Sequence, residues 1–321
     1  MSSARTVDDV PLRPVRRGRQ TRTFLYLGGL VTIEVAFLGL VVVPGKLMYD
    51  QTHPPKVPVT DSPTLHGLAF TPVSFASPLD GTTLRGWYLP APRPTGRTVV
   101  IAPGISDNRQ AGGITLRLAP ALLDAGFDVI AFDFRAEGES DGDTLSFGVR
   151  EQDDLLGAIA LARSRGARHV AVIGYSMGGA AAILAAARST DIEAVVADSA
   201  FADLRPVIER RMATAFRVPG SLVPYGMFLY RVLSGTDPAS AVPADVVGAV
   251  APRPMLFIAG TADSLVPASH AQALAARAGP SAALWLVPGA EHVGSFAADP
   301  DRYIARVLAF LQASLPDPAV H

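Results

Sequence analysis

The chain has no cysteine in 321 residues. That absence excludes disulfides, thiolate zinc sites and a cysteine nucleophile together, and it fits an exported protein that avoids stray oxidation. An excess of either charge is also missing. The net charge is −1, so no global field draws the protein to nucleic acid. No phosphate-binding glycine loop, metal-ligand cluster or basic nucleic-acid stripe runs through the sequence, and neither cofactor, metal nor nucleic acid is expected. Histidine is limited to 6 residues, which shortens the search for a general base. What is plentiful is apolar material, at 49% of the chain. It suffices for one large core, and α/β folds of ~250 residues often form a single domain.

The most informative stretch is Val170-Ala171-Val172-Ile173-Gly174-Tyr175-Ser176-Met177-Gly178-Gly179. A β-branched run meets a Gly-x-Ser-x-Gly turn and continues into the alanine-rich residues 180–187, which reads as strand, sharp elbow and helix. Gly174 and Gly178 lack a Cβ, so the backbone passes tightly while Ser176 sits between them in a strained conformation. The serine hydroxyl is expected above the strand end, near the positive end of the following helix. A bare motif of this kind is weak; its setting between a buried strand and a helix is what makes Ser176 a candidate nucleophile.

Residues 1–23 are polar and basic, with Arg13, Arg16, Arg17, Arg19 and Arg22 ahead of an apolar run over 24–43. That run has the ~20 residues needed to cross a bilayer as a helix. Its one ionisable group is Glu34, worth ~2.5–3.5 kcal/mol against insertion if charged, which the surrounding Leu, Val and Phe offset. A transmembrane anchor is expected. The alternatives are a cleaved signal peptide, whose apolar region is usually ~7–15 residues, and a buried core helix. The arginines before the run, against only Lys46 and Lys56 soon after, put the N-terminus in the cytoplasm and the rest of the chain on the outer face. Residues 44–65, with Pro54, Pro55 and Pro58, read as an extended spacer holding the globular part, 66–321, off the membrane.

Alternation over Thr71 to Ala76 and Leu84 to Leu89 predicts two antiparallel strands around Leu79-Asp80-Gly81. From Thr98 onward, apolar runs at 98–102, 129–134, 169–173, 194–197, 255–259 and 283–287 alternate with helical stretches near 116–125, 151–165, 179–188, 269–277 and 302–315. Buried strands separated by helices predict a mostly parallel sheet flanked by helices. Ligands of such sheets bind beyond the carboxyl ends of the strands. Residues 203–247 interrupt the rhythm and read as a small cap. Within it, 222–230 is apolar enough to line an acyl pocket, to form the cap's own core, or to touch lipid. Arg205, Arg210, Arg211 and Arg217 read as a solvated face, with anionic head groups as a secondary possibility.

Serine needs a base to take its proton, and the base needs a third group to fix its tautomer. His53 lies in the spacer, His66 before the first strand, His169 at the wrong end of the nucleophile strand, His270 in a helix and His321 at the terminus. His292 alone follows a late strand at its carboxyl end. Asp263, just past another strand, is the candidate acid, with a turn or N-cap role as the bland alternative. Asp198 is the runner-up and Asp133 a weaker third.

The order Ser176, Asp263, His292, with the contexts around each, resembles the α/β-hydrolase superfamily. Within it the chain is similar to bacterial membrane-anchored serine hydrolases related to the Bem46 and prolyl-oligopeptidase-like groups. The matching stretches are Asp80-Gly81, Gly86 to Pro90, Phe132 to Ser140, the serine elbow, Asp198 to Phe201, and the Asp263 and His292 loops. The resemblance implies an oxyanion hole from the backbone N–H groups of Met177 and Ile105. It departs in two places. Pro103-Gly104 stands where relatives carry His-Gly, and Ala136-Glu137-Gly138 where they often carry Gly-His-Gly; the latter reads as a turn without chemistry. Hydrolysis of carboxylic esters or thioesters through an acyl-enzyme on Ser176 is expected, acting on a small acyl-containing substrate. The alternatives are a peptidase or amidase of the same fold and a catalytically silent surface-binding module. The oligomeric state is not legible.

Overall fold

The computed structural model describes residues 17–215, 217 and 220–316. The basic tail up to Arg16 and His321 lie outside the described residues. By its contacts the chain divides into Met1–Lys46 and Leu47–His321.

In the first unit, helix α1 (Arg17–Phe37) passes into a π-helical turn, Leu38–Val42, and then into α2 (Val43–Thr52). The single α-helix expected over 24–43 is not what the structure contains. Arg17, Arg19 and Arg22 occupy the first turns of α1, and the end of the apolar run falls into the wider turn. Among the described residues no helix is long and apolar enough to cross a membrane.

In the second unit, two short antiparallel strands, β1 (Thr71–Ala76) and β2 (Thr83–Leu89), precede six that alternate with helices. These are β3 (Arg97–Ala102), β4 (Phe127–Phe132), β5 (His169–Tyr175), β6 (Ala194–Asp198), β7 (Met255–Gly260) and β8 (Ala282–Val287). The helices are α3 (Ile114–Asp124), α4 (Glu151–Ser164), α5 (Met177–Arg188), α6 (Leu204–Ala215), α7 (Val223–Ser234), α8 (Pro243–Val246), α9 (Ser269–Ala278), α10 (Ser295–Ala298) and α11 (Pro300–Ser314). All eight strands form one sheet in the order β1-β2-β4-β3-β5-β6-β7-β8, parallel from β4 to β8.

Strand periodicity sorts the side chains into two cores. Val100, Val172 and Phe257 face α4, α5 and α9; Val99, Ile173 and Ile258 face α3 and α11. Both faces are buried, which is why the strands read as continuous apolar runs. The chain steps from β3 to β4 in one direction and then crosses over β3 to β5. The strand order therefore reverses between β3 and β5, and a crevice opens at their carboxyl ends.

The expected spacer is not free of the domain. Leu145 N–H donates to Thr52 O at 2.7 Å, Asn108 Nδ2 donates to the carbonyls of Val57 and Pro58 at 3.3 and 3.2 Å, and Thr60 N–H donates to Gln110 Oε1 at 3.1 Å. Residues 44–52 of the expected extended spacer are helical, within α2. Beyond them an extended proline-rich segment leaves its carbonyls unused by secondary structure, and the Asn108 side chain takes up those of Val57 and Pro58.

Candidate active site

β5 ends at Tyr175, and the chain turns at Ser176 into α5 with φ +50°. A β-carbon-bearing residue in that region stores roughly 1–3 kcal/mol of strain. The glycines make the turn feasible by closeness. A Cβ on Gly174 would meet the Gly178 carbonyl, and one on Gly178 would meet the carbonyls of Ala102 and Pro103. Gly178→Ala is accordingly expected to lower stability by about 3 kcal/mol and to displace the 103–110 loop. Urea unfolding of the variant, with ester turnover measured alongside, checks it.

Ser176 Oγ lies 2.9 Å from His292 Nε2. His292 Nδ1 lies 2.7 Å from Asp263 Oδ2. Asp263 Oδ1 accepts the N–H groups of Leu265 and Val266 at 3.0 and 2.8 Å. One carboxylate thus serves as turn anchor and histidine partner at once. With Nδ1–H donating to Asp263, Nε2 is left as acceptor for the serine hydroxyl. The loops after β7 and β8 are stitched together by Thr261 N–H to Val287 O at 2.9 Å and Ala262 N–H to Ala290 O at 3.0 Å. That pairing sets the spacing of Asp263 and His292.

The other described histidines sit elsewhere. His53 stacks on Tyr49, His66 pairs with Asp61, and His169 meets Glu193 at the amino end of β5. His270 Nδ1 accepts the Ala202 N–H at 3.1 Å, and burial lowers its pKa. Among the described residues no group of three or more His, Asp or Glu is arranged to hold a metal ion.

The runner-up acids have different partners. Asp198 Oδ1 accepts the Ser199 hydroxyl at 3.0 Å and the Ser295 hydroxyl at 3.3 Å, while Ser199 Oγ accepts the Val293 N–H at 3.1 Å. Asp198 therefore props the residue after His292 and makes no hydrogen bond to the imidazole. It is fully buried, and burial raises its pKa from 3.8 to about 6. A carboxyl raised on folding contributes stability in its protonated form, fully present below 3.8 and lost as pH rises through 6. Asp198→Asn is expected to flatten this dependence, gaining on the order of 3 kcal/mol relative to wild type between pH 4 and 7. Paired urea titrations at the two pH values check it.

Asp133 is buried against Arg109 on the loop after β3. It accepts the Arg109 backbone N–H at 2.7 Å, Nε at 3.1 Å and Nη2, and the Glu139 N–H at 2.8 Å. Glu137, read from the sequence as a turn without chemistry, reaches the same loop. Its Oε1 accepts the Ser106 N–H at 2.6 Å, next to Ile105, and burial pushes its carboxyl well above the usual range. No local pattern marks this residue; only the folded loop reveals its partner.

Met177 opens α5, where the first N–H groups have no intrahelical acceptor. Ile105 sits across from it, and both line a small apolar cavity of about 50 Å³ together with Ser176, Phe201, Leu204, Val207 and Ile208. A second cavity of about 410 Å³ meets Ser176 from the His292 side. The apolar lining comes from α6 and from loop residues such as Phe147, Phe201 and Leu265, not from 222–230. In α7, Val223 and Met227 are buried in the cap's own core and Phe228 is exposed, so of the readings open for that stretch the structure favours cap core.

A family model described as the α/β hydrolase fold matches residues 97–223. The uncharacterized protein YqkD of Bacillus subtilis is 29% identical over 237 residues, covering 72% of this chain and 76% of that one. The uncharacterized protein YfhR of Escherichia coli K12 is 29% identical over 244 residues, covering 74% of this chain and 78% of its own. Among solved structures, the Pyrococcus furiosus esterase Pf2001 aligns with a TM-score of 0.71 at 26% identity, over 83% of this chain and 99% of that one. Strand order, the turn at Ser176 and these likenesses agree that the chain has the fold of the α/β-hydrolase superfamily.

Proposed function

We propose that the protein is a serine hydrolase of carboxylic esters or thioesters, working through an acyl-enzyme on Ser176. The observation that carries this reading is the continuous hydrogen-bonded line from Asp263 through His292 to a serine hydroxyl that opens on two cavities. His292 Nε2 takes the proton of Ser176 as Oγ attacks the substrate carbonyl. The Met177 and Ile105 N–H groups stabilise the developing oxyanion, each worth ~2.7–4 kcal/mol. The imidazolium, held by Asp263, returns the proton to the leaving alcohol or thiol, and water then releases the acyl group by the same route. The fold and the likeness to an esterase support hydrolysis. The motifs quoted above support a narrower place beside the Bem46 and prolyl-oligopeptidase-like hydrolases.

Cavity size supports a short acyl chain. The space beside Met177 and Ile105 is about 50 Å³, against about 410 Å³ for the cavity on the His292 side. Turnover of p-nitrophenyl acetate is expected to exceed that of the octanoate by at least about tenfold in kcat/KM, the low end of what one misfitting methylene costs in such a pocket. An optimum at octanoate would assign the acyl chain to the larger cavity instead. A fluorophosphonate probe is expected to label the wild type and not Ser176→Ala; absence of label on folded wild type would overturn the enzyme reading. Faster turnover of aminoacyl amides than of esters would favour a peptidase.

We propose further that the N-terminal apolar run associates with a membrane, with the N-terminus cytoplasmic and the hydrolase domain outside. Exposure of Phe24, Leu25, Ile33 and Val35 on α1 supports it. The full-length protein is then expected to stay with the membrane fraction after an alkaline carbonate wash, and release by that wash would refute the anchor.

A further inference from the structure

The larger cavity beside Ser176 is not electrically neutral. Arg117 of α3 and Arg211 of α6 stand on its wall together with His292 and Asp107. Among the described residues neither guanidinium has a carboxylate partner. Arg117 lies over the Phe296 ring at 4.7 Å, which orients it without neutralising it. This contrasts with Arg109 and Arg135, which are each engaged by buried aspartates. Asp107 is turned inward: its Oδ1 accepts the backbone N–H groups of Asn108 and Gly112 at 2.7 and 3.3 Å, and burial raises its pKa. Even with Asp107 ionised, two arginines against one aspartate leave the wall positive.

The two cavities also differ in chemistry. The small one is lined by apolar side chains with Ser176 and Arg211, and it lacks His292 and Arg117. The large one holds His292, the group that must protonate the departing oxygen. A tetrahedral centre on Ser176 with its oxyanion toward Met177 and Ile105 has two remaining substituents to place. The acyl chain fits the apolar side, and the leaving group faces the imidazole and Arg117, with Arg211 standing where the two cavities share a wall.

We infer that the leaving group carries an anionic substituent, a carboxylate or a phosphate, seated between Arg117 and Arg211. This rests on the serine-hydrolase reading above. The substrate class is then a short-chain acyl ester of an acidic alcohol. Hydrolysis breaks the acyl–oxygen bond, passes the Ser176 proton through His292 to the alcohol oxygen, and consumes one water. The acidic substituent takes no part in the bond changes and acts through binding.

The test compares methyl 4-acetoxybenzoate, 4-acetoxybenzoate and 4-acetoxyphenyl phosphate on the full-length protein. The anionic esters are expected to have a kcat/KM about tenfold above the neutral one, mostly through KM, and the advantage is expected to shrink with added NaCl, as two solvent-facing charge contacts would. Whichever anion gains more identifies carboxylate or phosphate as the preferred group. The anionic-to-neutral ratio is expected to fall about tenfold in Arg117→Met/Arg211→Met and to return in the double lysine variant. A wild-type ratio of one or less, or a ratio unmoved by the methionine variant, overturns the inference while leaving the hydrolase reading in place. If no ester is turned over and the fluorophosphonate probe does not label, the hydrolase reading fails and this inference falls with it. The wild-type ratio and its salt dependence need no variant to fold.

Discussion

Ser176→Ala is expected to lower kcat/KM for p-nitrophenyl acetate by on the order of 10⁵-fold, with thermal unfolding nearly unchanged. A hydroxyl that forms the acyl bond has no substitute, whereas its loss removes little packing. His292→Ala should cost about as much, and Ser176→Ala/His292→Ala no more than either alone, because a base without its nucleophile has nothing to deprotonate. Asp263→Asn is expected to fall by about 10⁴-fold. The amide nitrogen would favour the tautomer that directs a proton at Ser176 Oγ instead of a lone pair. Steady-state rates of the three single variants and the double variant check this set. Independent, additive losses would mean that the line Asp263, His292, Ser176 does not act as one unit.

The largest expected loss of stability lies away from the serine. Asp133→Ala leaves the Arg109 guanidinium, only 3% exposed, without its buried carboxylate. Glu139 Oε2, at 3.0 Å, is the remaining acidic contact and is mostly in solvent. Removing one partner of a buried pair typically costs about 3–5 kcal/mol. Because Asp133 also accepts the Arg109 and Glu139 backbone N–H groups, the loop carrying Ile105 should loosen as well, lowering kcat. Removing both charges, in Asp133→Ala/Arg109→Met, should recover part of the stability, since no uncompensated ion remains. Urea unfolding of the single and double variants measures the coupling directly; equal losses in the two would show that the ion pair is not what holds the loop.

The central strands β3 to β7 were legible because they are buried on both faces and so appear as unbroken apolar runs, whereas β1 and β2 showed as alternation. The elbow was legible because three glycines around one serine leave a local signature. His292 and Asp263 were legible by position, since both follow strands at the edge where ligands of parallel sheets gather. The runner-up status of Asp198 was less informative: it ends a strand as Asp263 follows one, and nothing local distinguishes a carboxylate that meets an imidazole from one that props the next residue through Ser199. Glu137 and Asp133 gave no signal for the loop after β3, because their partners lie 31 and 24 residues away in sequence. The proline-rich segment was read from composition as free and extended, yet its first part is the end of α2, held by Leu145, and the carbonyls of Val57 and Pro58 found a donor on Asn108. The apolar run of 24–43 had the right length for one helix, but helix ends depend on neighbours that hydropathy does not contain.

Local pattern determined the eight strands, the turn at Ser176, and which three side chains stand past strand ends. Tertiary structure decided everything that depends on distance between remote segments. It selected the carboxylate that meets His292, the acids that hold the Ile105 loop, α6 as part of the apolar wall, and the two arginines on the wall of the larger cavity. The reason is the range of the forces involved. Burial and backbone preference are written residue by residue, whereas hydrogen bonds and charge contacts exist only once the fold has brought their two halves within a few ångströms.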